Sequence, residues 1–182
     1  MMTLPSPDLV RTVAHEVRRL EVAVGAGFGD FRERYERAVP AFDAGRLYEF
    51  VRDGASWSEV LRVTEESAPH VFMRYWEFDA TAVMRLAGDR WKCVEYLMGN
   101  HTIAQRMYTH EPAIMMYAPL RTVVYEDAEG TTRFAVDQPS TKFASFGDPR
   151  VAEVGRELDH RLADLLGYLG APVPPVLRGQ RE

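Results

Sequence analysis

The groups able to do chemistry in this 182-residue chain concentrate between Leu97 and Phe146. His101 follows Gly99-Asn100, and His110 lies too far beyond it for the i, i+4 pairing by which one helix chelates a metal. Met98, Met107, Met115 and Met116 stand nearby and would suit a broad apolar ligand such as haem, with His101 or His110 as the axial donor. Core packing accounts for the same methionines. Asp79, upstream, is a helix cap by type, and with His101 it would give a metal-free enzyme an acid and a base. Arg121, Arg133 and Asp137 are spaced to meet across a hairpin, either as a surface ion pair or as an anion clamp. Ser140, Thr141 and Lys142 follow Pro139, but neither a G-x-S-x-G elbow nor a Ser-x-x-Lys motif activates the serine. The run Gly25-Ala26-Gly27-Phe28-Gly29 lacks the Lys-Ser/Thr ending of a phosphate loop and reads as a strand-to-helix turn.

Composition narrows the function classes. Net charge is −5, from 22 Lys and Arg against 27 Asp and Glu, so no positive field gathers phosphate backbones and nucleic acid is not an expected partner. The single cysteine, Cys93, lies in an apolar run as a small buried hydrophobe, with no second Cys for a disulfide or zinc knuckle. A reducing compartment fits it. No window approaches the ~20 apolar residues of a membrane span, and no basic stretch followed by an apolar run opens the sequence. The expected setting is the cytoplasm, away from membranes. An apolar fraction of 46% and a charged fraction of 27% are those of a globular chain, long enough for one sizeable core.

The elements that must position these groups follow from periodicity. Alternation from Glu16 to Val24 predicts a half-buried strand. Asp30 with Glu33 predicts a cap for a helix carrying Phe31, Tyr35 and Val39; Leu47, Phe50 and Val51 mark a second helix, and Ser56 caps a third that ends before Pro69. His70 to Phe78, dense in aromatic and β-branched residues, predicts a strand buried on much of both faces, followed by a short helix capped by Asp79. Trp91 to Met98 is the next strand. Gly99-Asn100 predicts a turn using positive φ, and Thr102 with Gln105 a capped helix whose N-terminus could hold a carboxylate or phosphate. Ala113 to Glu126 predicts one long strand, bulged or at an edge near Pro119, with Met115, Tyr117, Arg121, Val123 and Tyr125 on one face. Asp127 to Gly130 is its hairpin turn, the return strand carries Phe134 and Val136 on one face, and Pro139 to Phe143 is a loop. The longest helix starts at Asp148-Pro149, with Val151, Val154, Leu158, Leu162 and Leu165 inward and Glu153, Glu157, Asp159 and Asp164 in solvent. The expected organisation is a flexible arm over 1–15, one α+β domain over 16–170, and a loose Pro-rich tail over 171–182.

Several of these residues carry a resemblance. Leu97-Met98-Gly99-Asn100, the helix after it, Ala118-Pro119-Leu120-Arg121 leading into VVYEDAEG, and Pro139 after the second hairpin strand resemble the domain of unknown function 302, best over residues 90–169. Gly99, Asn100, Pro119, Leu120 and Arg121 are the matching positions. His101 stands where relatives usually have proline and Ala118 where they usually have leucine, and the helical insert between Phe28 and Pro69 resembles an actinobacterial branch. The resemblance implies an antiparallel-rich sheet, five-stranded here, covered on one side by helices, and a homodimer. It implies no activity. On this basis the expected function is an apolar small-molecule pocket between sheet and helices, lined by Tyr75, Trp76, Tyr96, Met98, Met116 and Tyr117, with Asn100, His101 and Arg121 supplying polar contacts to an apolar or anionic ligand. The other expectations are an enzyme, haem-dependent through His101 or His110 or using His101 and Asp79, and a structural dimer without a ligand.

Overall fold

The computed structural model describes residues 10–179; the first nine residues of the expected arm and the last three of the tail lie outside the described residues. Residues 10–18 run exposed without regular structure into β1 (Arg19–Ala23). The other strands are β2 (Met73–Asp79), β3 (Cys93–Gly99), β4 (Leu120–Glu126) and β5 (Thr132–Asp137). They form one sheet in the order β1-β5-β4-β3-β2, every neighbouring pair antiparallel. Alternation explains why one face is dry. Leu20 and Val22, Val94, Tyr96 and Met98, Leu120 and Val124, and Phe134 and Val136 all point to the same side and are buried there.

Helices α1 (Phe28–Ala38) and α7 (Pro149–Tyr168) cover that side. Phe31 and Tyr35 of α1 are fully buried, and the Tyr35 hydroxyl lies 3.0 Å from Thr122 Oγ1 beneath it. On α7, Val151, Val154, Leu158, Leu162 and Leu165 form the buried stripe; each fully buried aliphatic side chain contributes about 1.5–3 kcal/mol. The chain is an α+β domain with a five-stranded antiparallel sheet covered on one side by helices. Between β1 and β2 lie α1, α2 (Ala44–Asp53) and α3 (Trp57–Ser67); α4 (Ala80–Met84) follows β2, α5 (His101–Tyr108) follows β3, and α6 (Pro139–Phe143) precedes α7. Among the described residues no helix is long and apolar enough to cross a membrane.

Several expectations are corrected in detail. β2 is an edge strand of a sheet covered on one face only, so it is not buried on both: Trp76 is 46% and Phe78 37% exposed. The stretch after Ala113 is not strand until Leu120, because Glu111 caps the Ala113 N–H at 3.0 Å and Pro112 starts a 3₁₀ turn through Met116, followed by a cis Ala118–Pro119 bond. Gly27, not Asp30, precedes α1, since the Phe31 N–H already bonds the Gly27 carbonyl. Residues 139–143 are helical, with Pro139 in the first turn. Asp159 faces inward, 4% exposed, where it accepts from the Ser140 N–H and the Gln138 amide. In the Pro-rich stretch, residues 175–178 form a 3₁₀ turn that buries Val176 and Leu177.

Candidate functional site

The strands β2, β3 and β4 end together where α5 begins, and a cleft of about 400 Å³ opens there. Its floor is buried and apolar, made by Phe72, Met107, Leu120, Phe143 and Leu158. One wall is α5, which turns His101, Ala104, Gln105 and Tyr108 toward the space at the i, i+3, i+4, i+7 spacing of a single helix face. Leu47 of α2, Trp57 of α3 and Met115 complete the mouth, where Trp57, Tyr108 and Met115 are about half exposed. A smaller niche of about 110 Å³, between α2 and α3, lies behind Leu47 and His101 and is lined in part by Arg46.

Asn100 organises the entrance to α5. Its Oδ1 accepts from the Thr102 N–H at 2.9 Å, so Asn100 and not Thr102 caps the helix, and φ there is −149° rather than positive. Its Nδ2 donates to the Val71 carbonyl at 2.7 Å, holding a valine at φ +74°, a left-handed conformation costly for a β-branched residue. Gly99 is needed for another reason than its φ: a Cβ would meet Pro119 Cα and Cβ, each at 3.3 Å.

His101 is the first residue of α5, and its ring is fixed at both nitrogens. The Thr64 hydroxyl donates to the Val60 carbonyl at 2.7 Å, so it accepts from Nε2–H of His101 at 2.9 Å. Nδ1 is then the acceptor for the Tyr75 hydroxyl at 2.8 Å, and that hydroxyl oxygen accepts the His101 backbone N–H at 3.0 Å. Phe42 stacks on Tyr75 with ring centroids 4.4 Å apart and meets His101 edge-on. Burial lowers the imidazole's pKa below its ordinary value, and burial pushes the Tyr75 phenol up to about 12; both effects keep the pair neutral. A bulge between Arg74 and Trp76 is what turns Tyr75 out of the strand's alternation toward this ring.

Of the residues expected at a binding site, Tyr75, Asn100 and His101 border the cleft. The others lie elsewhere. Tyr96 and Met98 are fully buried in the core, where Tyr96 donates to Glu36 at 2.8 Å. Trp76 stacks on Phe78 outside. Met116 is 76% exposed, and Tyr117 packs on Phe143 and Phe146 with its hydroxyl 3.1 Å from His15. Arg121 is on the uncovered face of β4, paired with Glu95 at 3.0 Å, because Leu120 and Thr122 take the inward positions on either side. Arg121, Arg133 and Asp137 form no shared cluster: Arg133 bonds Asp127 and Asp137 bonds Lys142.

The acid–base pair is not assembled either. Asp79 caps α4, bonds Arg32 at 2.7 Å and faces Val94, whereas His101 follows Gly99, the partner of Met73 at the other end of β2. At ~3.3 Å per residue the two ends are roughly 20 Å apart. Axial ligation of haem by His101 would break a ring hydrogen bond, and His110, exposed past the end of α5, does not line the cleft. Among the described residues no three His, Cys, Asp or Glu side chains gather as a metal site. Burial raises the pKa of the half-buried Cys93 thiol, away from nucleophilic thiolate.

The cleft walls that sequence reasoning missed are Leu47, Trp57, Ala104, Gln105 and Tyr108. The last three, with His101, were visible as one stripe of a capped helix. Comparison with known proteins places the architecture. No protein of curated function matches the chain. A crystal structure of an uncharacterized conserved protein DUF302 from Bacillus stearothermophilus shares the fold, with a TM-score of 0.60 and 20% identity over 83% of this chain and 97% of that one. The family model described as Domain of unknown function DUF302 matches residues 54–168, from the C-cap of α2 through the end of α7, so the chain belongs to that family.

Proposed function

We propose that this chain is a small-molecule-binding domain whose ligand lies in the cleft between α5 and the ends of β2, β3 and β4. The observation that carries the reading is the cleft itself: about 400 Å³, within the ~300–1,000 Å³ of ligand sites, concave and apolar over a buried floor. An enzyme is less well supported, since both nitrogens of His101 are engaged and Asp79 is remote. The test uses Nile red, an uncharged dye that brightens in apolar surroundings. Wild-type protein is expected to bind it and Ala104→Trp, which puts an indole into the cleft from mid-α5, is expected not to. Equal binding by a folded Ala104→Trp variant would refute the site.

The reading includes a homodimer. The uncovered sheet face supports it, because Trp76 and Phe78 stack there with centroids 5.9 Å apart and large exposed surfaces. Light scattering is expected to give twice the chain mass, falling toward one in Trp76→Arg; a wild-type monomer at all concentrations would remove this part.

A further inference from the structure

The same cleft has a charge logic. No Asp, Glu, Lys or Arg lines it, and its one imidazole, His101, sits between two hydroxyls. The nearby cations are committed elsewhere, Arg106 to Glu157, Arg121 to Glu95 and Lys142 to Asp137, while Arg46 lines the niche behind Leu47. The N-terminus of α5, which could have held an anion, is largely occupied by the protein itself. Two of its three first-turn donors are taken, the His101 N–H by the Tyr75 hydroxyl and the Thr102 N–H by Asn100 Oδ1, which leaves the Ile103 N–H. Deep in the cleft, then, a charge would lose its water and meet no partner. The uncommitted polar groups stand at the mouth: among the described contacts the side chains of Gln105, Tyr108 and Trp57 make no hydrogen bond.

We infer that the ligand is an uncharged amphiphile, with an apolar body on the Phe72, Leu120 and Phe143 floor and a neutral hydrogen-bonding head, such as an alcohol, ester or amide, at Gln105 and Tyr108. This rests on the binding reading above. A charged head at the same place meets no counter-charge above an apolar lining, so fatty carboxylates and alkylammonium compounds of the same chain length bind more weakly. The experiment is displacement of Nile red at pH 7.5 by decanol, decanoate and decylamine, each below its micelle concentration, from wild type and from Gln105→Arg. Decanol is expected to displace the dye from wild type at a concentration at least tenfold below that of either charged analogue. Gln105→Arg, an exposed position that tolerates the change, is expected to bring decanoate to within threefold of decanol and leave decylamine weak. Decanoate matching decanol on wild type would overturn the ligand class while leaving the cleft in place, and so would a Gln105→Arg variant that still discriminates against decanoate. Dye binding unaffected by Ala104→Trp, with no analogue displacing it, would overturn the binding reading instead.

Discussion

Replacing Tyr75 with phenylalanine removes one oxygen and leaves the ring in place against Phe42. Two bonds go with it: the hydroxyl's donation to His101 Nδ1 at 2.8 Å and its acceptance of the His101 backbone N–H at 3.0 Å. An unsatisfied buried group costs about 1–3 kcal/mol, but both groups border the cleft, where water can replace part of each bond, so the expected loss is about 2 kcal/mol in total. For a chain of this size that lowers Tm by about 4–8 °C. Because the freed Nδ1 then meets water and can take a proton, the His101 titration should also move up toward the ordinary imidazole value. Differential scanning calorimetry reads the first effect, and the pH dependence of the His101 ring resonances reads the second. A variant that melts within about 1 °C of wild type and keeps the His101 titration would refute the account of the Thr64, His101 and Tyr75 chain.

Two other perturbations test the remaining polar interior. Well above about pH 6.5 His101 is neutral in both folded and unfolded chains; as pH falls toward and through that value the unfolded chain takes the proton first, so stability declines until the lowered folded pKa is passed. Chemical denaturation at pH 7.5 and 5.5 should therefore show a steeper loss for wild type than for His101→Gln, and equal slopes would count against a buried neutral ring. Asp159 is 4% exposed with its pKa raised by burial, and the Oε1 of its partner Gln138 has no hydrogen bond. Asp159→Asn removes the buried charge, and with the Gln138 amide turned over the new Nδ2 can donate to Oε1 in place of the present Nε2 donation to Asp159, so it should be neutral or stabilising by up to about 1 kcal/mol at pH 7; a destabilisation larger than that in urea titration would show that the carboxylate's bonds to Ser140 and Gln138 outweigh its burial.

Much of the fold was legible because its elements obey simple periods. The alternation of Leu20 and Val22 and of Phe134 and Val136, and the three-and-four rhythm of α7, each have one dry side and one wet side. What failed were inferences carried across a break. Arg121 was placed with Met115 and Tyr117 by running one alternation through Pro119, but the chain there is a 3₁₀ turn and the parity restarts at Leu120, which sends Arg121 to the open face. Tyr75 reached the site only because a bulge shifted it, a feature without a residue signature here. Leu47 and Trp57 come from helices that meet α5 only in three dimensions, so nothing local announced them. His101 and Asn100 were read correctly as neighbours of the turn, yet their roles differ from the expectation: one is a locked neutral ring and the other the cap.

The contact between Gly99 and Pro119 gives the cleft a back wall made of main chain. A side chain can swing aside, but here the wall is main chain: a Cβ at position 99 would lie 3.3 Å from Pro119 Cα and Cβ, so the proline would have to yield by a few tenths of an ångström. For a ligand bound as proposed, the depth of entry at this wall would follow the course of the polypeptide, whereas the rim around Trp57, Gln105 and Tyr108 is built of side chains.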